Sequence, residues 1–486
     1  MMFSVVLVLG VILQLCGAVN TSAFTALLRQ SLSPQAQIFL PTDANYTNET
    51  VQRWTTYGEP TYFASVKPAI ESDIQTTIKL ASEYNVPFLG TGGGHGYTDT
   101  YRFLKNGLEI DLSNFKNVSV DASASTLTIG GAVLFRDIFD PLYDAGKEIQ
   151  TGTGTCVGML GATLGGGVGR YQGLHGMILD ALLSVRMVIA SGEIVTVSAT
   201  ENADLFWGIR GAGFNFGIVT SATYKVENLT NGGQVLNADF VIPGSANESF
   251  WEILKSYEAD QPAELALATV VNYNEEYGGP NFILNAVYIG PEDVGMPYIQ
   301  PFIDLAPLKQ NISMVSWNNL DAVAFFGLDA ASCVDGSYLN LYGLGINTFD
   351  VNTFVEVFGE MVDLWNEYPE AQGSSILIEE FAKQAVLAVP DGDTAYPHRN
   401  ITAQILFSFE YPNSTLDDTI NSIAHKLRAQ VNHTSGFDGL QVYVSYGHGD
   451  EGVIPWYSER KLPNLTSLKS TWDPHGLFSF NNPITF

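Results

Sequence analysis

Basic residues are scarce in this chain. Its 486 residues carry 22 Lys and Arg against 51 Asp and Glu, a formal charge of −29 at pH 7. A nucleic-acid partner is therefore not expected, because that affinity rests on cations neutralising phosphate. The negative excess favours solubility and repels anionic membrane surfaces. Charged residues of both signs make up only 15% of the chain while hydrophobic ones reach 46%, so a large core is available and disorder is excluded as the main theme. Cysteine is scarcer still: Cys16, Cys156 and Cys333 are too few for a disulfide scaffold. The chain has no G-x-x-x-x-G-K-[ST], no H-E-x-x-H and no G-x-S-x-G, and its seven His are scattered without ligand spacing, so no metal is expected. The length suggests roughly two to four domains.

One long apolar run is present, at the N-terminus. Residues 1–20 end in small residues around Gly17 and Ala18 and abut a polar stretch, which fits a cleaved signal peptide over 1–19 although Lys and Arg are missing from its start. No later segment reads as a membrane span. Eleven N-x-S/T sequons begin at Asn20, Asn45, Asn48, Asn117, Asn228, Asn247, Asn311, Asn400, Asn413, Asn432 and Asn464. Together these features predict an extracellular protein bearing N-linked glycans. Removal of the signal leaves Cys156 and Cys333, a possible single disulfide.

Periodicity gives an α+β reading. Apolar Ile70, Ile74, Ile78 and Ala81 recur at helical spacing between Pro68 and Asn85. Strands are expected over 126–129, over 182–189 and 193–197 as a hairpin, and over 218–226, with a helix at 202–209. Beyond Asn231-Gly232-Gly233 the texture changes: 282–289 and 404–409 read as strands, 354–367 and 416–431 as helices. Gly211-Ala212-Gly213 with Gly217 looks like a dinucleotide loop, but a helix precedes it and a strand follows, the reverse of the Rossmann order.

Two glycine-rich stretches carry the chemistry. The first is Gly90-Thr91-Gly92-Gly93-Gly94-His95-Gly96. The second runs from Gly152 through Gly154, Thr155, Cys156, Gly158 and Gly161 to Leu164-Gly165-Gly166-Gly167-Val168-Gly169. Such density lets backbone approach a bulky ligand and aim N–H groups at anionic oxygens. Either stretch alone reads as a tight turn; the pair points to a cofactor cradle.

These stretches, with Asp204-Leu205-Phe206-Trp207-Gly208-Ile209-Arg210-Gly211-Ala212-Gly213, Gly217-Ile218-Val219-Thr220, Tyr443-Val444-Ser445-Tyr446 and Leu468-Lys469 through Trp472-Asp473-Pro474 to Phe478, give the chain its resemblance. It resembles the FAD-linked oxidases of the vanillyl-alcohol oxidase (PCMH-type) family, in the berberine-bridge-enzyme-like and oligosaccharide-oxidase branch, and is most similar to fungal secreted members. The resemblance implies an N-terminal segment over 20–57, an FAD-binding domain of two α/β subdomains over 58–229, a substrate domain with an antiparallel sheet flanked by helices over 230–439, and a tail over 440–486 that returns to the flavin, bringing Asn482 with it. It implies FAD held by the two glycine stretches and by Gly217, Ile218 and Val219, with a covalent bond from His95 to the flavin 8α-methyl. The Cys that in some relatives adds a second bond aligns with Gly154, two residues before Cys156, which makes bicovalent attachment doubtful. It implies hydride transfer from a hydroxyl-bearing small molecule to flavin N5 and reoxidation by O2 to hydrogen peroxide. The expected base is Tyr446, with Tyr443 second and Glu380 or Glu379 supplying or assisting it. A tyrosine base at neutral pH needs a cation or hydrogen bonds favouring its phenolate, a part that Arg399 or His398 of the Tyr396-Pro397-His398-Arg399 segment would fill; otherwise they bridge domains. Ser445 stands where the family has Asn. Left open are a carbohydrate or a secondary-metabolite substrate, a dehydrogenase or cyclase on the same scaffold, and a non-catalytic binding glycoprotein.

Overall fold

The computed structural model describes residues 20–485; the expected signal peptide, 1–19, lies outside them. Among the described residues no helix is long and apolar enough to cross a membrane.

The first sheet contains β1 (Gln37–Phe39), β2 (Tyr62–Lys67), β3 (Phe88–Thr91) and β4 (Gly107–Asp111) in the order β1-β2-β4-β3. Its β2–β4 and β3–β4 pairs are parallel. The crossover between β2 and β3 is the helix Glu71–Glu83, which buries Ile74, Ile78 and Ala81 at the spacing read from the sequence. It starts later than Pro68 because Asp73 accepts the N–H groups of Ala69 and Ile70 (2.9 and 3.1 Å), satisfying donors that would otherwise lack partners.

A second sheet follows. β5 (Val118–Asp121) and β6 (Thr126–Gly130) come first, then the short β7 (Lys147–Glu148), the hairpin β8 (Leu182–Ile189) and β9 (Ile194–Ser198), and β10 (Gly217–Lys225). The order is β5-β6-β10-β8-β9, antiparallel throughout, and β7 pairs separately with β11 (Glu227–Asn228). The helix Ala203–Ala212 enters β10 as expected; Gly211, at φ 127°, is glycine because a Cβ would come within 2.3 Å of Tyr396 N.

After the turn at 230–233 the chain builds a seven-stranded antiparallel sheet. Its strands are β12 (Gln234–Pro243), β13 (Leu265–Asn274), β14 (Gly279–Tyr288), β15 (Lys309–Ser316), β16 (Leu339–Ile346), β17 (Ser375–Phe381) and β18 (Ala403–Glu410), ordered β15-β12-β14-β13-β17-β18-β16. The helices Asn247–Tyr257, Val351–Glu367 and Asp417–His433 cover one face, burying Trp251, Phe358, Trp365 and Leu427 against it. The other face turns towards the glycine stretches. The architecture is the α+β arrangement expected: two smaller sheets with their helices beside a large antiparallel sheet.

The tail closes the fold. In the helix Leu462–Trp472, Lys469 is 1% exposed and donates to Asp473 (2.7 Å) and to the carbonyls of Asn215 and Phe478 (both 2.8 Å). One buried cation thus ties the C-terminal helix to the loop entering β10.

Candidate functional site

A cavity of about 630 Å³ lies between the glycine stretches and the open face of the seven-stranded sheet, within the ~300–1,000 Å³ typical of ligand clefts. The first stretch leaves β3 at Thr91. Gly94 has φ 73° and a Cβ there would meet Gln52 O at 2.3 Å, so only glycine fits. A Cβ on Gly93 would press on Gly158, so the two glycine stretches touch backbone to backbone. His95 projects between them, half-buried, its ring stacked on Trp54 at 4.3 Å and 13°. Burial pushes its pKa down to about 4, leaving the imidazole neutral, as a nucleophilic ring nitrogen requires. Arg53 donates to Gly96 O and Trp54 N–H to Gly94 O (3.2 Å), fixing the loop from the N-terminal segment.

Most of the expected cofactor contacts line this cavity: Gly90 to Gly94, Gly96, Gly154, Cys156, Gly158, Gly161, Gly167, Gly217 to Val219 and Asn482. Asn482 accepts a hydrogen bond from Thr98 (2.7 Å) and donates to Val444 O (2.9 Å), so the chain's end is sewn to the His95 loop. The cavity suits a large flat group. A Cβ on Gly161 would meet no protein atom within 4 Å, and one on Gly154 only Val157 at 3.4 Å. At these two positions glycine leaves room for a ligand rather than for protein.

Four of the expected site residues are placed otherwise. Gly165 and Gly166 are glycine for packing: a Cβ on Gly165 would meet Ser445 Oγ at 2.1 Å, and one on Gly166 the Tyr443 ring at 2.9 Å. Thr155 turns away from the cavity, donating through N–H (2.8 Å) and Oγ1 (2.5 Å) to Asp329. Glu380 points through the sheet to its helix-covered side, near Glu258 and Lys383, with neither carboxylate oxygen partnered. Side chains alternate along a strand, so it is Glu379 that faces the cavity. Cys156 lines the cavity but is joined to Cys333 in a disulfide (S–S 2.09 Å), so it has no thiol to offer a second flavin bond.

Around Glu379 the remaining polar groups converge. Tyr446 donates to Glu379 Oε2 at 2.7 Å and Thr153 to Oε1 at 3.0 Å. Burial, opposed by those two hydrogen bonds, raises the Glu379 carboxyl above its ordinary range. Burial first, then the carboxylate beside it, pushes the Tyr446 hydroxyl well above 10. The cation expected to lower a tyrosine is not there. Arg399 is bound bidentate to Asp180 (2.7 and 3.0 Å) and so ties the approach to β18 to the turn before β8, while burial holds His398 at a pKa of about 4 and hence neutral. Tyr443 accepts the Gly167 N–H at 2.9 Å and packs on Tyr446 at 5.0 Å, a buttress for the loop. Tyr97, two residues after His95, was not singled out by sequence; its buried hydroxyl has no protein partner and lines the same cavity. Trp54 gave no sequence signal at all.

Comparison with known proteins agrees with this geometry. A family model described as an FAD binding domain matches residues 64–198. The "FAD-linked oxidoreductase azaL" of Aspergillus niger is 47% identical over 473 residues, covering 96% of this chain and 100% of its own length. The "FAD-linked oxidoreductase tazG" of Aspergillus terreus is 42% identical over 464 residues, covering 95% and 94%. Among solved structures, the BBE-like 1 protein of Physcomitrella patens superposes with a TM-score of 0.83 at 22% identity, over 95% of this chain and 99% of the other. A xylooligosaccharide oxidase from Myceliophthora thermophila, in complex with xylobiose, gives 0.80 at 22%, over 95% and 99%. Near-complete coverage at 47% identity, on a fold with a glycine-built cradle, settles the family: the chain belongs to the FAD-linked oxidoreductases with a PCMH-type flavin domain and a berberine-bridge-enzyme-like fold.

Proposed function

We propose that this oxidoreductase removes a hydride and a proton from a neutral, apolar-bodied alcohol, with O2 as the final acceptor of the two electrons and hydrogen peroxide as by-product. The observation that carries the reading is the 2.7 Å hydrogen bond from Tyr446 to Glu379 on the cavity wall. When bound, FAD supplies a hydride acceptor for the carbon bearing the hydroxyl and a route for its electrons to O2. The protein's part is proton handling. Thr153 and Tyr446 both donate to Glu379, hydrogen bonds that favour its ionised form against burial. A substrate hydroxyl placed against Tyr446 passes its proton to the tyrosine oxygen as Tyr446 passes its own to Glu379. No free phenolate is formed, which accords with a tyrosine whose pKa stands well above 10. The neutral His95 imidazole is the proposed point of covalent attachment to the flavin.

The substrate class follows from the wall. The sheet presents Val270, Leu341, Leu377 and Leu406 to the cavity, with Glu379 and the paired Ser375 and Ser408, four residues away along the strands, as its polar groups there. A sugar chain needs a denser set of hydrogen-bonding groups, and an anionic substrate needs cations; Arg53 is the one Lys or Arg on this wall among the described residues. We also place the protein outside the cell, with N-linked glycans. The Cys156–Cys333 disulfide suits an oxidising compartment, and none of the eleven sequon asparagines is buried.

The test is to screen purified holoprotein with benzyl-type alcohols and with xylobiose for peroxide release. Peroxide from the alcohols alone is the expected result. Turnover of xylobiose alone would overturn the substrate class, and turnover only with an artificial electron acceptor would replace oxidase by dehydrogenase. Recovery from the culture medium, with a mass that falls on enzymatic deglycosylation, checks the location; an intracellular unglycosylated protein would refute it.

A further inference from the structure

One part of the cavity wall carries backbone strain. Between β15 and β16 the chain turns left-handed at three successive residues, Phe325, Phe326 and Gly327 (φ 54°, 59° and 81°). Glycine adopts this region freely, but a bulky side chain there is an outlier. Such conformations persist only where the surroundings over-determine them, and they gather at ligand clamps. At Phe325 the surroundings are specific. Asp239 Oδ1 accepts the Phe325 N–H at 2.7 Å and is itself held by the amides of Asn237 (2.9 Å, through Oδ2) and Asn285 (2.8 Å). Arg170, fixed on Asn285 (3.0 Å) and Asp321 (2.6 Å), stands 5.8 Å from the Phe325 ring centroid. Together these groups hold a half-buried aromatic ring on the cavity wall beside Ala324 and Leu328.

The far end of the same stretch is fastened to the cradle. Asp329 takes both donors of Thr155, Cys333 is bonded to Cys156, and Ser332 O accepts the indole N–H of Trp54 at 2.8 Å. That indole is the one stacked on His95. A segment pinned at both ends cannot give way when a ligand presses on its middle.

We propose that Phe325 is a specificity-determining residue, and that residues 320–333 form a roof, latched by the Cys156–Cys333 disulfide, which limits the size of the ring system a substrate can carry. This rests on the reading that the substrate is a neutral alcohol with an apolar body. The strained backbone would be easier to form with glycine at 325. A phenylalanine there gives the cavity a rigid aromatic surface that a flat apolar ligand meets, and the disulfide keeps that surface from retreating.

The experiment measures binding without chemistry. Phenol and 1-hydroxypyrene carry a hydroxyl but no hydrogen on its carbon, so they bind without being oxidised. Their dissociation constants are read from the perturbed visible spectrum of the flavin in wild type, in Phe325→Ala, in Phe325→Gly and in the double variant Cys156→Ser with Cys333→Ser. Phe325→Gly relieves the left-handed strain and so guards against loss of folding. The expected result is that wild type prefers phenol, and that all three variants shift the ratio of the two constants towards 1-hydroxypyrene by about tenfold or more. An unchanged ratio in Phe325→Gly, or a wild type that binds neither probe, overturns the roof. A ratio that moves in the Phe325 variants but not in the double cysteine variant overturns the latch. A protein that discriminates the probes yet oxidises no alcohol would sink the proposed activity and leave the roof standing.

Discussion

Glu379 and Glu380 are neighbours on β17 and lie on opposite faces of the same sheet, in opposite chemical settings. Glu379 meets the cavity with two hydrogen-bond donors holding its charge. Glu380 is buried on the far side with none, so burial drives its carboxyl well above the ordinary range and keeps it protonated. One step of strand register therefore separates the proposed proton acceptor from a partnerless carboxyl that is a burden when ionised.

Replacing either member of the proton pair should stop turnover without emptying the cavity. Tyr446→Phe and Glu379→Gln are each expected to lower kcat about 10²–10⁴-fold, with the double variant no worse than the slower single one because the two act as a unit. Since Glu379 acts ionised and its pKa is raised, kcat/KM should fall as pH drops through a value above the ordinary ~4.3 of a glutamate. In Glu379→Gln that acidic limb should vanish. Steady-state profiles between pH 4 and 9 decide the matter, and a limb that survives in Glu379→Gln assigns the titration elsewhere.

Glu380→Gln should stabilise the protein at neutral and alkaline pH. The folded form of Glu380 binds its proton more tightly than the unfolded chain does, so its contribution to stability is fully present below the unfolded pKa. It is lost as pH rises through the folded value. Glutamine mimics the protonated side chain at every pH. Thermal melts should therefore show a gain of at least ~2 °C at pH 8 and a smaller one at pH 5. A loss at pH 8 would show that Glu380 is ionised and satisfied.

His95→Ala should release the flavin. Acid precipitation of wild type should leave the yellow colour in the pellet, and of the variant in the supernatant. A non-reducing digest of wild type should give one flavin-bearing peptide, containing His95, and a separate Cys156–Cys333 cross-linked pair. A flavin on the Cys156 peptide would contradict the disulfide.

Lys469→Met should loosen the C-terminal tail. It leaves the wholly buried Asp473 without its counter-charge, a change that costs about 3–5 kcal/mol where a buried pair is broken. Denaturant midpoints of the holoprotein measure it, with flavin release expected in the same transition. A midpoint within error of wild type would mean that water has replaced the lysine.

Much of the fold is legible in the sequence because it depends on local pattern. The helix Glu71–Glu83, the hairpin β8–β9 and the long helices of the sheet domain all follow from apolar spacing and turn residues. The glycine stretches are legible as a cradle for the same reason. What each glycine does is not, because that is set by distant partners: Gly165 and Gly166 answer to Ser445 and Tyr443, far along the chain. The choice between Glu379 and Glu380 is hidden for a different cause. Both faces of β17 are buried, so alternation of polarity, the usual guide to strand register, gives no direction. Trp54 and Tyr97 act through position alone, and the Cys156–Cys333 bond spans a separation of 177 residues that spacing cannot measure.

The hydrogen bond between Thr98 and Asn482 joins residues 384 positions apart. During translation the first glycine stretch leaves the ribosome long before the residue that completes its wall. Closure of the cradle on that side therefore awaits synthesis of Asn482. A chain cut short before Asn482 lacks that closure, and the His95 loop loses the partner that Thr98 donates to.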